Sequence, residues 1–183
     1  SQTLQGAAFL EHPYHWPVIG YEDDMKNWKQ EDLERYFKTY YAPNNCVVVV
    51  SGGIKLDEVR KLAEKYLEPI PAQPAPPKVN IVEPVQTGER RVMVQKEAAT
   101  PYLMIAYHVP EAKHEDFYAL NILSSVLSSG KSSRLYTTLV DKLQLATSAN
   151  ANFGESFDPT LFRFYAVSAK GVAESAVEQA IYD

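Results

Sequence analysis

The sequence predicts an α+β chain built in two parts. Helix-spaced and strand-like apolar runs follow one another in the order α–β–α and then β–β–α–α–β–β–α, without the regular alternation of a parallel α/β fold. Of 12 prolines, five fall at positions 69, 71, 74, 76 and 77, between those two groups. Proline removes N–H donors and fixes φ, so residues 68–78 read as an extended, semi-rigid linker. At 45% hydrophobic and 22% charged residues, the 183-residue chain has enough apolar material for a core and is neither disordered nor collagen-like.

The elements follow in order. Gln30 to Tyr41 carries Leu33, Tyr36, Phe37, Tyr40 and Tyr41 at helical spacing and must stop before Pro43. Asn44-Asn45 suits a turn. Cys46 to Ser51 is apolar nearly throughout, the pattern of a strand buried on both faces, and Gly52-Gly53 ends it. A helix near Asp57 follows, with Val59, Leu62, Ala63, Tyr66 and Leu67 on one face and acidic residues in its first turn. Beyond the linker, Arg90 to Gln95 and Tyr102 to Val109 read as strands. His114 or Glu115 to Ser128 is a helix, and a shorter one follows that Ser132 or Ser133 can cap. Ala146 to Phe153 and Leu161 to Ala169 read as a strand pair. A last helix begins near Ala173 and runs towards Asp183. The unfinished helix and the missing initiator Met lead to the expectation of a segment of a longer chain.

Charge and cysteine usage exclude several function classes. A net charge of −5 offers no cationic field for nucleic acid. Cys46 is the only cysteine, so neither an internal disulfide nor a thiolate zinc cage can form; beside Val47–Val50 it reads as a buried, inert thiol. No apolar run is long enough to span a membrane.

No catalytic constellation is visible. His12 and His15 bracket Pro13 and are followed by Pro17, which opposes a regular metal-binding helix; with Glu11 they make a weak metal triad, and loop histidines packed with Tyr14 and Trp16 are the simpler reading. His108 and His114 are separated by Pro110. Neither His-Glu-x-x-His nor His-x-x-Glu-His occurs. Gly52-Gly53 precedes Asp57 and Glu58, which would repel a phosphate. Gly130-Lys131-Ser132 lacks the earlier glycine and the preceding strand of a phosphate loop. Ser124, Ser125, Ser128 and Ser129 read as hydroxyls at a helix end. The 12 tyrosines read as core residues with a wet edge before they read as an interface.

Several stretches carry a resemblance when taken together. They are His12-Pro13-Tyr14 with Pro17 and Gly20, Glu31-Asp32-Leu33, and Tyr40-Tyr41-Ala42-Pro43-Asn44-Asn45 before the apolar run and Gly52. Past the linker come Ala106-Tyr107-His108, Tyr118-Ala119-Leu120, and Ser129-Gly130 leading to Ser132-Ser133-Arg134-Leu135-Tyr136. Their order and spacing resemble the insulinase and mitochondrial-processing-peptidase class of zinc peptidases, the inverted-zincin M16 family, in its C-terminal or inactive-domain region. The resemblance implies a LuxS/MPP-like metallohydrolase fold, with mixed or antiparallel sheets covered by helices. Residues 1–68 would be the C-terminal part of a first peptidase-like domain, 69–78 the linker, and 79–183 the N-terminal part of a second, inactive one. Each part then lacks strands of its own domain, so the isolated chain is expected to pack its halves together or to dimerise.

What the resemblance implies about chemistry is zinc-dependent peptide hydrolysis. The ligands, two His of His-x-x-Glu-His and a downstream Glu, would lie before Ser1. No catalytic, cofactor or metal residue is therefore assigned in this chain: it is expected to bind no zinc and to be inactive alone, with zinc in the full-length parent. Active members often supply an Arg and a Tyr from the second domain; those positions fall at Val140 and Thr147, neither of which can replace them. Implied partners are a peptide or unfolded polypeptide and a second subunit of the same type, in a homo- or heterodimer. The expected role is a wall of a peptide-binding chamber, with a non-catalytic scaffold or assembly subunit as the alternative. Bacterial cytoplasm and periplasm both remain open as compartments.

Overall fold

The computed structural model describes residues 2–98 and 100–183. In chain order it contains α1 (Gln2–Ala8), a 3₁₀ turn (Pro13–His15), α2 (Glu22–Asn27), α3 (Gln30–Tyr40), a second 3₁₀ turn (Pro43–Asn45) and α4 (Leu56–Tyr66). After the proline-rich stretch come β1 (Tyr102–Val109), α5 (Phe117–Ser128), a π-helix (Tyr136–Lys142), β2 (Ala146–Asn152), β3 (Thr160–Ser168) and α6 (Glu174–Tyr182). Two compact units result: Ser1–Trp16 together with Val82–Asp183, and Pro17–Ile81. This spatial grouping differs from a division at the linker, because α1 and the first 3₁₀ turn pack with the residues that follow position 82.

The larger unit is organised by β3. It pairs antiparallel with β1 on one side and β2 on the other, in the order β1-β3-β2. Leu103, Val109, Phe162, Phe164, Ala166, Ala149 and Ala151 point to one face, where Leu120, Leu127, Leu135, Leu139, Val177 and Ile181 of the helices cover them. Ala146 and Ala149 are three apart, so a regular strand would send them to opposite faces. A register shift between Ala146 and Ser148 adds the extra residue that keeps both alanines buried. Small residues on β2 let the helices approach it; Ala151 and Leu139 are fully buried.

The π-helix is the second irregularity. Ser133 does not cap it: its Oγ is buried with no hydrogen-bond partner. A short α-turn at Arg134–Leu135 instead widens into π geometry, with the Leu143 N–H donating to Thr138 O at 2.9 Å. The helix closes on Gln144 at φ +51°, and the Leu145 N–H returns to Leu139 O at 2.9 Å. This left-handed cap normally falls to glycine.

The Pro17–Ile81 unit is built differently. In α3, apolar residues sit at the expected spacing and Tyr36–Tyr40 and Phe37–Tyr41 pair at 4.6 and 5.0 Å, yet the helix buries none of them. Asn44 anchors the proline-rich stretch, its Nδ2 donating to Gln73 O at 2.9 Å and its Oδ1 accepting from Gln73 N at 3.1 Å. The same amide thus imitates one rung of a strand pair.

Two expected strands are absent. Cys46–Ser51 is extended but unpaired; Val47 and Val49 are 87% and 85% exposed, and Cys46 is exposed rather than buried. Arg90–Gln95 is likewise not a strand, with Val92, Met93 and Val94 exposed. Strand propensity is the capacity to fit a ladder, and neither segment has a neighbouring strand among the described residues. α5 starts at Phe117, slightly later than its periodicity suggests, after a turn in which Phe117 N–H donates to His114 O. The sequence reading did not anticipate α1 and α2, whereas α3, α4, α6 and the three strands lie within a residue or two of their expected bounds.

Relieving the left-handed cap gives a stability test. Gln144→Gly is expected to raise unfolding free energy by about 0.5–1 kcal/mol, read as an upward shift in a urea or thermal melt. An unchanged or lower midpoint would mean that Gln144 holds this cap at no cost.

Candidate functional site

Polar groups concentrate around the segment after α1. Phe9 is buried and packs against three rings: His12, Tyr14 and His108, with centroids 5.9, 5.8 and 5.1 Å away. His12 is also buried, its Nδ1 accepting from Tyr14 N–H at 3.1 Å. That bond leaves the proton on Nε2, which faces the Asp158 carboxylate at 3.7 Å. His15 Nδ1 lies 2.6 Å from Phe9 O, and His108 Nε2 lies 3.1 Å from Ala8 O, so both rings serve as donors to carbonyls at the end of α1. Arg90 completes that end, with Nη1 donating to Ala7 O at 2.8 Å and Ala8 O at 2.9 Å. A cation at a helix C-terminus also meets the negative end of the helix dipole.

Glu83 faces the amides that follow. Its carboxylate accepts from Leu10 N–H at 2.7 Å, Glu11 N–H at 3.0 Å and His12 N–H at 2.9 Å. Partial burial pushes this carboxyl up. The backbone bonds from His12, Leu10 and Glu11, with the nearby His108, outweigh burial and hold it below its ordinary value.

Zinc needs ring nitrogens converging with free lone pairs. His12 Nδ1 spends its lone pair on Tyr14 N–H, while His15 Nδ1 and His108 Nε2 donate to backbone and leave a lone pair on the other nitrogen of each ring. Among the described residues, no group of three His, Cys, Asp or Glu could hold a metal ion.

The other candidate positions are dispersed. Gly52 has φ +140° with open space around it and no convergent donors. Gly130 has φ +76° and turns the chain between α5 and the next helix. Ser124 and Ser128 both donate to Ala151 O, at 2.9 and 2.7 Å, so they tie α5 to β2. Val140 is half-buried within the π-helix, and Thr147 is exposed at the β2 register shift, its Oγ1 donating to Val167 O at 3.4 Å. Both positions lie on irregular backbone, which is frequent near functional sites. Neither supplies a cation or a phenol. In the Pro17–Ile81 unit, a groove of about 510 Å³ lies between α3 and the proline-rich stretch, lined by Glu31, Arg35, Lys38 and Pro74 among others. Its mixed charges are solvated, and no buried polar group points into it. No helix among the described residues is long and apolar enough to cross a membrane.

The sequence alone did not reveal the roles of Glu83 and Arg90. Their partners are backbone groups 71 to 83 residues away, and no side-chain motif encodes them.

Comparison with known proteins then bears on the whole chain. Residues 27–183 match the family model described as the Peptidase M16 inactive domain. The chain is 36% identical over 177 residues to the zinc protease PqqE of Helicobacter pylori, covering 95% of this chain and 40% of that protein. It is 28% identical to a probable mitochondrial-processing peptidase subunit beta of Schizosaccharomyces pombe, covering 90% and 38%. Among solved structures, a Helicobacter pylori protease superposes with a TM-score of 0.92 at 34% identity, over 98% of this chain and 44% of that one. A peptidase M16 inactive domain from Pseudomonas fluorescens superposes at 0.77 with 16% identity, over 99% and 44%, a likeness of fold. The chain therefore spans about 40% of the length of the curated relatives it matches.

The shared acceptor on β2 predicts non-additive mutations. Ser124→Ala or Ser128→Ala alone leaves Ala151 O partnered and should cost under about 1 kcal/mol, whereas the double variant should cost about 1–3 kcal/mol. Chemical denaturation of the three variants measures this; strict additivity would show that the two hydroxyls act separately.

Proposed function

Because the chain belongs to the M16 peptidase family, through its inactive-domain region, we propose that it forms part of the peptide-binding chamber of a zinc metalloendopeptidase subunit. The zinc ligands would be supplied by another part of the longer protein. On this reading residues 1–68 are the C-terminal part of a first peptidase-like domain, 69–78 the linker and 79–183 the N-terminal part of a second, inactive domain. The observation that carries the proposal is the β1-β3-β2 sheet, covered by helices on one face and unpaired at its outer edges among the described residues. An unpaired edge binds an extended peptide through main-chain hydrogen bonds. β1 is the more available edge, since hydroxyls of α5 already occupy Ala151 O on β2.

Val140 and Thr147 favour a division of labour. Val140 lacks any donor, and Thr147 spends its hydroxyl on Val167 O. The Arg and Tyr that would hold substrate and stabilise an oxyanion are then contributed by a partner subunit of the same type in a homo- or heterodimer. The same two residues support the second reading, in which the parent is a non-catalytic scaffold or assembly subunit.

Peptide cleavage separates the two readings. The full-length protein mixed with its partner subunit is expected to cleave a peptide in a chelator-sensitive manner, while the 183-residue chain alone does not. Absence of chelator-sensitive cleavage by the mixture would leave the scaffold reading. Cys46 tests the domain assignment independently. Its thiol is exposed here, and a first domain completed by further strands would cover the adjoining apolar run. Thiol labelling of native protein should be fast in the 183-residue chain and at least ~10-fold slower in the full-length protein, the scale of a 1.4 kcal/mol opening penalty. Equal rates would count against the assignment.

A further inference from the structure

The chain leaves its larger unit after Trp16 and returns to it at Val82. At the return point, two charged side chains grip the departing segment. Glu83 accepts three consecutive backbone N–H groups, those of Leu10, Glu11 and His12. Arg90 donates to the two carbonyls just before them, those of Ala7 and Ala8. The end of α1 presents free carbonyls and the turn after it presents free amides; one short stretch of sequence, 83–90, supplies the complementary charge to each. We propose that Glu83 and Arg90 form a latch that fastens the α1 segment to the sheet-bearing unit and pins together the two chain passages at the base of the 17–81 excursion.

Geometry distinguishes a latch from ordinary packing. Both charged groups bind backbone, so they read the local chain conformation and release it as a unit. Glu83 is only half-buried, and water can replace it on the amides. When Glu83 and Arg90 both let go, the ties of α1 to the sheet among the described residues are the His108 bond to Ala8 O, the Arg163 bond to Gln5 Oε1 at 3.2 Å, and Phe9 in its ring cluster. All three lie on the sheet face that the core helices leave uncovered, so release of α1 opens that face at His108 and Arg163.

The charges around Glu83 fix the sign of the pH response. His108 is the neighbour that lowers the Glu83 carboxyl, Arg90 is bound to Ala7 O and Ala8 O, His12 is turned to Asp158, His15 is bound to Phe9 O, and Glu11 presents its N–H. The latch is therefore fully present above the ordinary glutamate range of about 4.3. It is lost as pH falls through the lowered value that Glu83 has in the folded chain.

Amide hydrogen exchange in the full-length protein tests this. Relative to wild type, Glu83→Gln should speed exchange at residues 10–12 at least ~10-fold, the scale of losing charge-assisted bonds, with β2 and β3 unchanged. Arg90→Gln should do the same at residues 8–12. Glu89→Gln, whose carboxylate meets Arg91, should have no effect there. Unaltered exchange at 10–12 in a folded Glu83→Gln protein overturns the latch. If that variant does not fold, the wild-type pH series decides. Protection at 10–12, corrected for intrinsic rate, should hold at pH 5 and be lost before that of β2 and β3 on further acidification. Protection at 10–12 that vanishes only together with that of the sheet overturns it.

Discussion

The folded core depends on β3 being paired along both edges. It is the one described strand whose backbone groups are shared with two neighbours, and its residues Phe162, Phe164 and Ala166 form the floor on which the helices rest. Once β3 sets the register, β2 must bring Ala146, Ala149 and Ala151 to the same face, and the irregular step at Thr147 is the consequence. The π-helix belongs to the same constraint. Its wider turn places Leu135 and Leu139 in the core before the chain reverses at Gln144 to enter β2.

In the Pro17–Ile81 unit no strand among the described residues supplies such a partner. α3 and α4 have apolar faces, and Val47–Val50 has the composition of a buried strand, yet these residues are largely exposed. Local pattern formed the helices, because their hydrogen bonds are internal. It could not form the strand, whose hydrogen bonds must come from elsewhere. Asn44 and Gln73 are tied instead by one side-chain amide.

The histidines illustrate a different limit. Their spacing argued against a metal helix, and the structure assigns them other work: His15 and His108 satisfy carbonyls at the end of α1, and His12 holds the turn at Tyr14. Packing of His12 with Tyr14 was legible from adjacency, and the centroids lie 4.6 Å apart. The partnership with Glu83 and Arg90 was not, since nothing in a sequence marks which remote carboxylate will meet a free amide. For the same reason the serines of α5 were readable as helix-end hydroxyls, while their common target, Ala151 O, was not.

The sequence by itself determined the features written in short-range terms: the proline-rich divide, α3, α4 and α5, the three strands of the sheet, the last helix, and the ordered motifs of an M16 inactive-domain region. Proline stereochemistry, helical period and strand alternation act within a few residues, so they survive in any context that does not oppose them. Tertiary structure alone decided that residues 46–51 and 90–95 go unpaired, that β2 carries a register shift, that a helix widens to π geometry, and that Glu83 and Arg90 close on α1. Each depends on which backbone groups meet across tens of residues, and that is set by the packing of the whole unit and not by the local chain.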